Sequence, residues 1–294
     1  MIRIVLFGSG EIFLNICSLL NTDNNFEIRG IGTNPNKDEN VIHFVEKNNI
    51  KNLNKLKDLD EVEFDFIYML SYAPLIPKEY LDKYLFVNTH YAPLPRYRGF
   101  HGFVWSIING EKETGFTIHR AEDGIDNGAI YYQYKKRIEE YDNVNTLMDS
   151  FNKDLISNIK NILSEISKGK KPLPQNENEA IYVTRRRQED NLIDWNQSAI
   201  NIHNFIRALT PPYTNGAFTY HNSQKINIIK TKLLSSPDYI ERVGKIVNKD
   251  NDGIWVKTKD SVILITEISI NSKIYKGGKE IELKIGNLFS HSKE

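Results

Sequence analysis

I-R-I-V-L-F-G-S-G, residues 2–10, sets the fold. An apolar run broken only by Arg3 reads as a buried strand, and two glycines in three residues turn it. Residues 11–20 follow with Ile12, Ile16, Leu19 and Leu20 at helical spacing. Strand, glycine turn and helix open a βαβ unit. The third glycine of a dinucleotide fingerprint is missing at the required spacing, so a Rossmann cofactor is not expected.

The pattern repeats outward. Residues 26–31, 64–70 and 84–90 read as further strands, and 41–49 and 77–83 as short helices. This alternation predicts an α/β fold with an open, mostly parallel sheet covered on both faces. Beyond residue 100 the spacing predicts a helix (102–109), two strands (114–120, 129–136) and a long amphipathic helix over 145–168. Gly169, Pro172 and Pro174 stop that helix. From about 175 the texture changes. A helix over 199–209 is closed by Pro211-Pro212, and short alternating runs separated by turn residues follow. They predict a smaller, OB-like antiparallel β-barrel. The expected domains are 1–210, with a linker at about 172–200, and 211–294.

Of the 294 residues, 40% are hydrophobic and 26% charged, enough for a sizeable core. The 38 basic and 38 acidic residues cancel, which argues against a broad nucleic-acid footprint. The single cysteine, Cys17, excludes an internal disulfide and a cysteine-held zinc; its apolar neighbours make it a core residue. No signal peptide and no membrane span are read, so a cytoplasmic protein is expected.

The candidate chemistry sits where the strand at 84–90 ends in N-T-H-Y-A-P-L-P-R-Y-R-G (88–99). Asn88 and His90, two apart on a strand, point to the same side. In open α/β sheets ligands bind beyond the carboxyl ends of strands. A later loop, A-E-D-G-I-D-N-G-A (121–129), offers Asp126 as partner for His90.

These stretches, with G-E-K-E-T-G-F-T-I-H-R (110–120) between them, resemble the folate-dependent formyltransferases. The likeness runs over about residues 1–210 and more weakly into the tail. It implies Asn88, His90 and Asp126 as the catalytic trio, N10-formyltetrahydrofolate as co-substrate, and no metal. It further implies that the loop with Ser71, Tyr72, Ala73, Leu75 and Ile76, and the loop with Asp123, Gly124 and Ile125, lie along the pterin. Trp105 is expected in the core, and His119 in a supporting place.

The family's branches differ in the amine they formylate. The glycinamide ribonucleotide branch is usually a single domain of about 200 residues, shorter than this chain. The methionyl-tRNA branch carries a long basic insertion after its second strand. Here the stretch 32–40 is short and holds one lysine against two acids, a poor grip on phosphates. T-R-R-R-Q-E-D-N-L-I-D-W (184–195) resembles the branch acting on nucleotide-linked amino sugars. It implies Arg185, Arg186, Arg187 and Trp195 as substrate-binding residues, since arginine pairs two phosphate oxygens at once. Arg96 and Arg98 are placed to reach substrate phosphate or to brace the loop, and the sequence does not choose. The expectation is an N-formyltransferase acting on a dTDP-, UDP- or GDP-linked amino sugar for surface polysaccharide synthesis. A methionyl-tRNA formyltransferase and a 10-formyltetrahydrofolate hydrolase stand as alternatives. No nucleic-acid or membrane partner is expected; a homodimer is compatible with the tail.

Overall fold

A computed structural model describes residues 1–33, 38–235 and 239–290. Residues 34–37, part of the stretch whose charge argues against tRNA, lie outside the described residues. The described residues form two compact units. The first comprises 1–103, 115–136 and 149–183; the second comprises 104–114, 137–148 and 184 onward.

The first unit is built on the expected alternation. β1 (Ile2–Gly8), α1 (Glu11–Asn21), β2 (Phe26–Gly32), α2 (Glu39–Lys47), β3 (Phe66–Leu70), α3 (Lys78–Lys83) and β4 (Phe86–His90) follow in order. β1 pairs in parallel with β2 and β3, and β3 with β4. All five residues of β3 are buried, the signature of a central parallel strand covered on both faces. Phe13, Ile16, Cys17 and Leu20 of α1 are buried, and burial raises the Cys17 thiol pKa far above its ordinary value.

The chain then makes a short strand, β5 (Arg98–Gly99), and α4 (Gly102–Ile108). β6 (Glu113–Arg120) and β7 (Ile130–Arg137) complete a six-stranded sheet of order β2-β1-β3-β4-β6-β7. β6 runs antiparallel to β4, so the sheet is mostly but not wholly parallel. α5 (Val144–Ser167) buries the predicted stripe of Leu147, Phe151, Leu155, Ile159, Ile162, Leu163 and Ile166. β8 (Tyr182–Val183) pairs with β5.

In the second unit, α6 (Ala199–Ala208) starts at Ser198, whose hydroxyl accepts the Asn201 N–H as an N-cap. It packs on an antiparallel sheet made of β9 (Ala217–His221), β10 (Gln224–Leu233), β11 (Ile246–Lys249), β12 (Ile254–Lys257) and β13 (Val262–Ile270). The order is β11-β12-β13-β10-β9, with β14 (Lys273–Lys276) also on β13. These strands form an open sheet, but residues 287–290 bond to both edges. Ser290 exchanges two backbone bonds with Tyr220, while Ile246 N–H donates to Asn287 and Phe289 N–H to Gly244. The OB-like expectation therefore holds as an antiparallel sheet laced along its open side. Among the described residues, no helix is long and apolar enough to cross a membrane.

Candidate active site

Strand alternation builds the site. Thr89 points into the first unit's core, where its hydroxyl meets the Tyr68 hydroxyl at 2.7 Å. Asn88 and His90 therefore share the opposite face, as period 2 requires. In the antiparallel register of β4 on β6, His119 lies directly across from Asn88. The Asn88 Nδ2 stands 3.2 Å from His119 Nε2. His119 Nδ1 lies 2.7 Å from the Arg120 carbonyl, so Nδ1 carries a proton and donates it there. In the neutral ring, Nε2 then accepts from Asn88; in the charged ring, Nε2–H is a donor facing Asp126.

Asp126 joins the two imidazoles. Its Oδ2 is 3.3 Å from His90 Nδ1, and its Oδ1 is 3.5 Å from His119 Nε2. The Gly99 backbone N–H donates to Oδ2 at 2.9 Å. All three side chains are shielded, with 10%, 2% and 16% of His90, His119 and Asp126 exposed. Burial alone would raise the Asp126 pKa. The charge of His90, the bond and charge of His119, and the Gly99 N–H outweigh it and hold the carboxyl at about 2. Burial lowers the His90 pKa, opposed by Asp126 and by the Tyr97 carbonyl.

His90 Nε2 donates to that carbonyl at 2.8 Å. Tyr97 holds it there in the left-handed region, at φ 63°. With Nε2–H tied to backbone, Nδ1 is the nitrogen at which His90 gains or loses a proton. Gly102 closes this corner. A Cβ on it would lie 2.5 Å from the Tyr97 carbonyl oxygen and 3.0 Å from His90 Nε2. Gly102, the Tyr97 carbonyl and the bridging role of His119 are the functional features that sequence reasoning missed. The glycine spacing in R-G-F-H-G was the available signal for Gly102.

The two loops expected along a ligand flank β3 and the Asp126 turn. Ser71, at φ 55°, accepts the Ser9 hydroxyl with its carbonyl. Ser71, Ala73 and Leu75 are exposed; Tyr72 and Ile76 pack on the core, with Tyr72 5.1 Å from Phe7. Asp123, Gly124 and Ile125 are exposed. Leu75 (81%) and Ile125 (48%) are large apolar side chains left in water, an arrangement suited to covering a flat ligand.

Arg98 takes the bracing role of the two left open, which corrects its placing among the phosphate-binding residues. It is fully buried, and its five N–H donors make five bonds, two to Gln175, two to Glu177 and one to Tyr182. No donor remains for a substrate phosphate; the residue braces the loop. Arg96 lies over the Tyr97 ring at 5.4 Å. Trp195 is a second correction. It is fully buried in the second unit, stacked on Phe289 at 5.3 Å, with its indole N–H on the Thr219 hydroxyl. It is a core residue because nothing of it reaches the surface.

Of the three successive arginines, Arg185 and Arg187 are exposed. Arg186 is half-buried and lies flat between Trp105 (4.9 Å) and Phe205 (5.2 Å), with Nη2 on the Asp190 carbonyl. A cavity of about 410 Å³ also lies in the second unit, lined by residues such as Asn109, Ile193, Gln197 and Phe205; none of the trio lines it. Among the described residues, no group of three or more His, Cys, Asp and Glu is placed to hold a metal ion.

Comparison with known proteins bears on this geometry. The family model described as formyl transferase matches residues 5–159, and that described as formyl transferase, C-terminal domain, matches 185–281. The bifunctional polymyxin resistance protein ArnA of Wigglesworthia glossinidia brevipalpis is 38% identical over 239 residues, covering 76% of this chain and 35% of that protein. The chain thus spans about a third of that relative's length. The methionyl-tRNA formyltransferase of Clostridium acetobutylicum is 32% identical over 298 residues, covering 93% of each. Among solved structures, WlaRD, a sugar 3N-formyl transferase crystallised with dTDP and 5-N-formyl-THF, superposes with a TM-score of 0.69. It is 23% identical and covers 90% of this chain and 97% of that one, a likeness of fold.

Proposed function

Because this chain belongs to the formyl transferase family, we propose that it moves a formyl group from N10-formyltetrahydrofolate to the amino group of a nucleotide-linked amino sugar. The carrying observation is the Asp126 carboxylate held between two imidazoles beside the Asn88 amide.

The chemistry follows from those groups. The acceptor amine attacks the formyl carbon, a C–N bond forms, and the carbonyl oxygen becomes an oxyanion. One N–H of Asn88 reaches His119, and the other donates to the oxyanion. Such a donor contributes about 3–4 kcal/mol to the transition state. The proton leaving the amine passes to His90 Nδ1, where the Asp126 carboxylate stabilises the imidazolium. Collapse of the intermediate breaks the bond to N10, which takes the proton from His90 as it leaves and returns the imidazole to its neutral form. The pterin lies along Ser71, Tyr72, Ala73, Leu75 and Ile76 on one side and Asp123, Gly124 and Ile125 on the other. Their exposed backbone and apolar side chains support that placement.

The acceptor class rests on charge. The nine residues 32–40 carry one lysine against two acids, too few cations for an RNA backbone. Arg185 and Arg187, exposed beside a pinned Arg186, suit the diphosphate of a sugar nucleotide, which here would feed surface polysaccharide assembly in the cytoplasm. A second reading, formylation of methionyl-tRNA, is favoured by the 32% identical relative that matches over 93% of both chains.

A transfer assay separates them. Purified protein with N10-formyltetrahydrofolate is offered dTDP-, UDP- and GDP-linked amino sugars and, in parallel, methionyl-tRNA. Formylation of an amino sugar is expected. Formylation of methionyl-tRNA alone refutes the acceptor class, and release of formate without an acceptor product refutes transfer.

A further inference from the structure

Arg98 sits within one residue of the group that donates to Asp126, yet it touches no part of the trio itself. Desolvating a guanidinium is costly, and such a group persists only when its partners are complete. Glu177 grips it at 2.6 and 2.9 Å, the Tyr182 hydroxyl at 2.8 Å, and Gln175 Oε1 at 2.8 and 3.1 Å. The Gln175 amide, once fixed this way, has one orientation left. Its Nε2 donates to the Asp126 carbonyl at 2.8 Å and to the Gly128 carbonyl at 2.7 Å.

Those two carbonyls need holding. Asp126 sits at φ 49°, a left-handed conformation that an aspartate adopts at some cost. From the other side, the Gly99 N–H reaches the carboxylate, and Gly99 is itself set by the pairing of β5 with β8. A Cβ on Gly99 would meet the Val183 carbonyl oxygen at 2.5 Å, so the two strands touch at backbone distance. Backbone and carboxylate of Asp126 are thus clamped by one device.

We propose that Arg98 is a positioning residue for formyl transfer: through Gln175 and the β5–β8 contact it holds Asp126 against His90. The inference rests on the reading of the trio given above, but its geometry is independent of the acceptor. The segment 175–182 acts as a strap on Asp126 through Gln175, and it also bonds the loop that carries Tyr97, where Ile181 N–H donates to Pro95 and its carbonyl accepts from Arg98. The groups that sense that orientation are His90 and His119; those facing Arg98 are Glu177 and Tyr182.

The test reads His90 directly. Its imidazole is titrated by long-range proton–nitrogen NMR in the full chain, in wild type, Arg98→Lys and Gln175→Leu. Lysine keeps the charge but cannot hold Gln175 and Glu177 together. Gln175→Leu spares the Arg98–Glu177 ion pair, and so keeps the test alive should Arg98→Lys fold poorly. With Asp126 released, His90 should titrate lower by about half a unit or more in both variants. In parallel, kcat for formyl transfer should fall about tenfold to a hundredfold, with KM for the acceptor near its wild-type value. An unchanged His90 titration in a folded variant of either kind overturns the proposal. Absence of transfer by the wild type overturns the functional reading instead, and the titration still decides this one.

Discussion

Replacing Gly102 by alanine should damage catalysis through a single methyl group. Gly102 is not in a left-handed conformation, so alanine meets no backbone penalty there. The effect is steric. The new Cβ would stand 2.5 Å from the Tyr97 carbonyl oxygen, 2.7 Å from Ala92 Cβ and 3.0 Å from His90 Nε2. A Cβ does not approach oxygen closer than about 3 Å, so the Tyr97 carbonyl must retreat by roughly half an ångström. That carbonyl is the acceptor of the His90 Nε2–H at 2.8 Å, and the ring must follow it or lose the bond. Overpacking of this kind costs about 1–3 kcal/mol. Displacement of a proton-transfer group by up to about an ångström costs as much as a hundredfold in rate. Thermal melts and steady-state kinetics of Gly102→Ala should therefore show a fall of several degrees at most, with kcat reduced about tenfold or more. A variant with wild-type kcat would refute the reasoning, because the methyl would then have been absorbed without moving His90.

Other outcomes follow from the same structure. Asn88→Ala should lower kcat by about 10²–10³-fold while leaving the melting temperature within a few degrees, since the task proposed for the amide is donation to the oxyanion; retained activity would remove Asn88 from the mechanism. Acid should weaken the fold in two stages, measurable by urea unfolding at pH 7.5, 5 and 3. Burial, then the Arg207 charge, hold the His203 pKa at about 4, below its ordinary value, so the unfolded ring binds a proton first. Stability is full above about pH 6.5 and falls towards pH 4, by about 3 kcal/mol at the end of that window. His90, also depressed, acts in the same direction. Asp126, held at about 2, contributes above its ordinary pKa of about 3.9 and loses that contribution as pH falls through 2. His203→Gln should flatten the first stage, and an unchanged pH slope would refute the assignment. Trp195→Phe should cost about 1–2 kcal/mol in the second unit without altering KM, because it leaves the Thr219 hydroxyl short of a buried partner; a raised KM would restore the tryptophan to the substrate.

The sequence carried the parts of the site that depend on local periodicity. Asn88 and His90 share a face because they are two apart on a strand, and Thr89 between them goes to the core. Asp126 was legible as the acid of a tight glycine loop. His119 was legible as a supporting residue, but its place opposite Asn88 was not, because that depends on β6 running antiparallel, which an alternating α/β pattern does not foretell. Arg98 was left undecided for a different reason. Arginine in a loop ordinarily stays in water, and the groups that bury this one arrive 77 to 84 residues later. Trp195 sits in a motif that resembles a ligand site, yet its ring was needed to fill the second unit. The loops at 71–77 and 121–125 were legible as ligand-facing only through the resemblance; by spacing alone they are connections, and the apolar surface of Leu75 and Ile125 left uncovered emerges only in the fold.

The two units are not successive stretches of chain. Residues 104–114 and 137–148 leave the first unit for the second before residue 184 enters it for good. A tail exchanged between relatives by a single crossover near residue 184 would bring a new sheet without the two short pieces that belong with it. The second unit can drift only together with two segments encoded inside the first. Any exchange of the second unit that evolution, or an engineer, makes in this fold must therefore be written in three places at once.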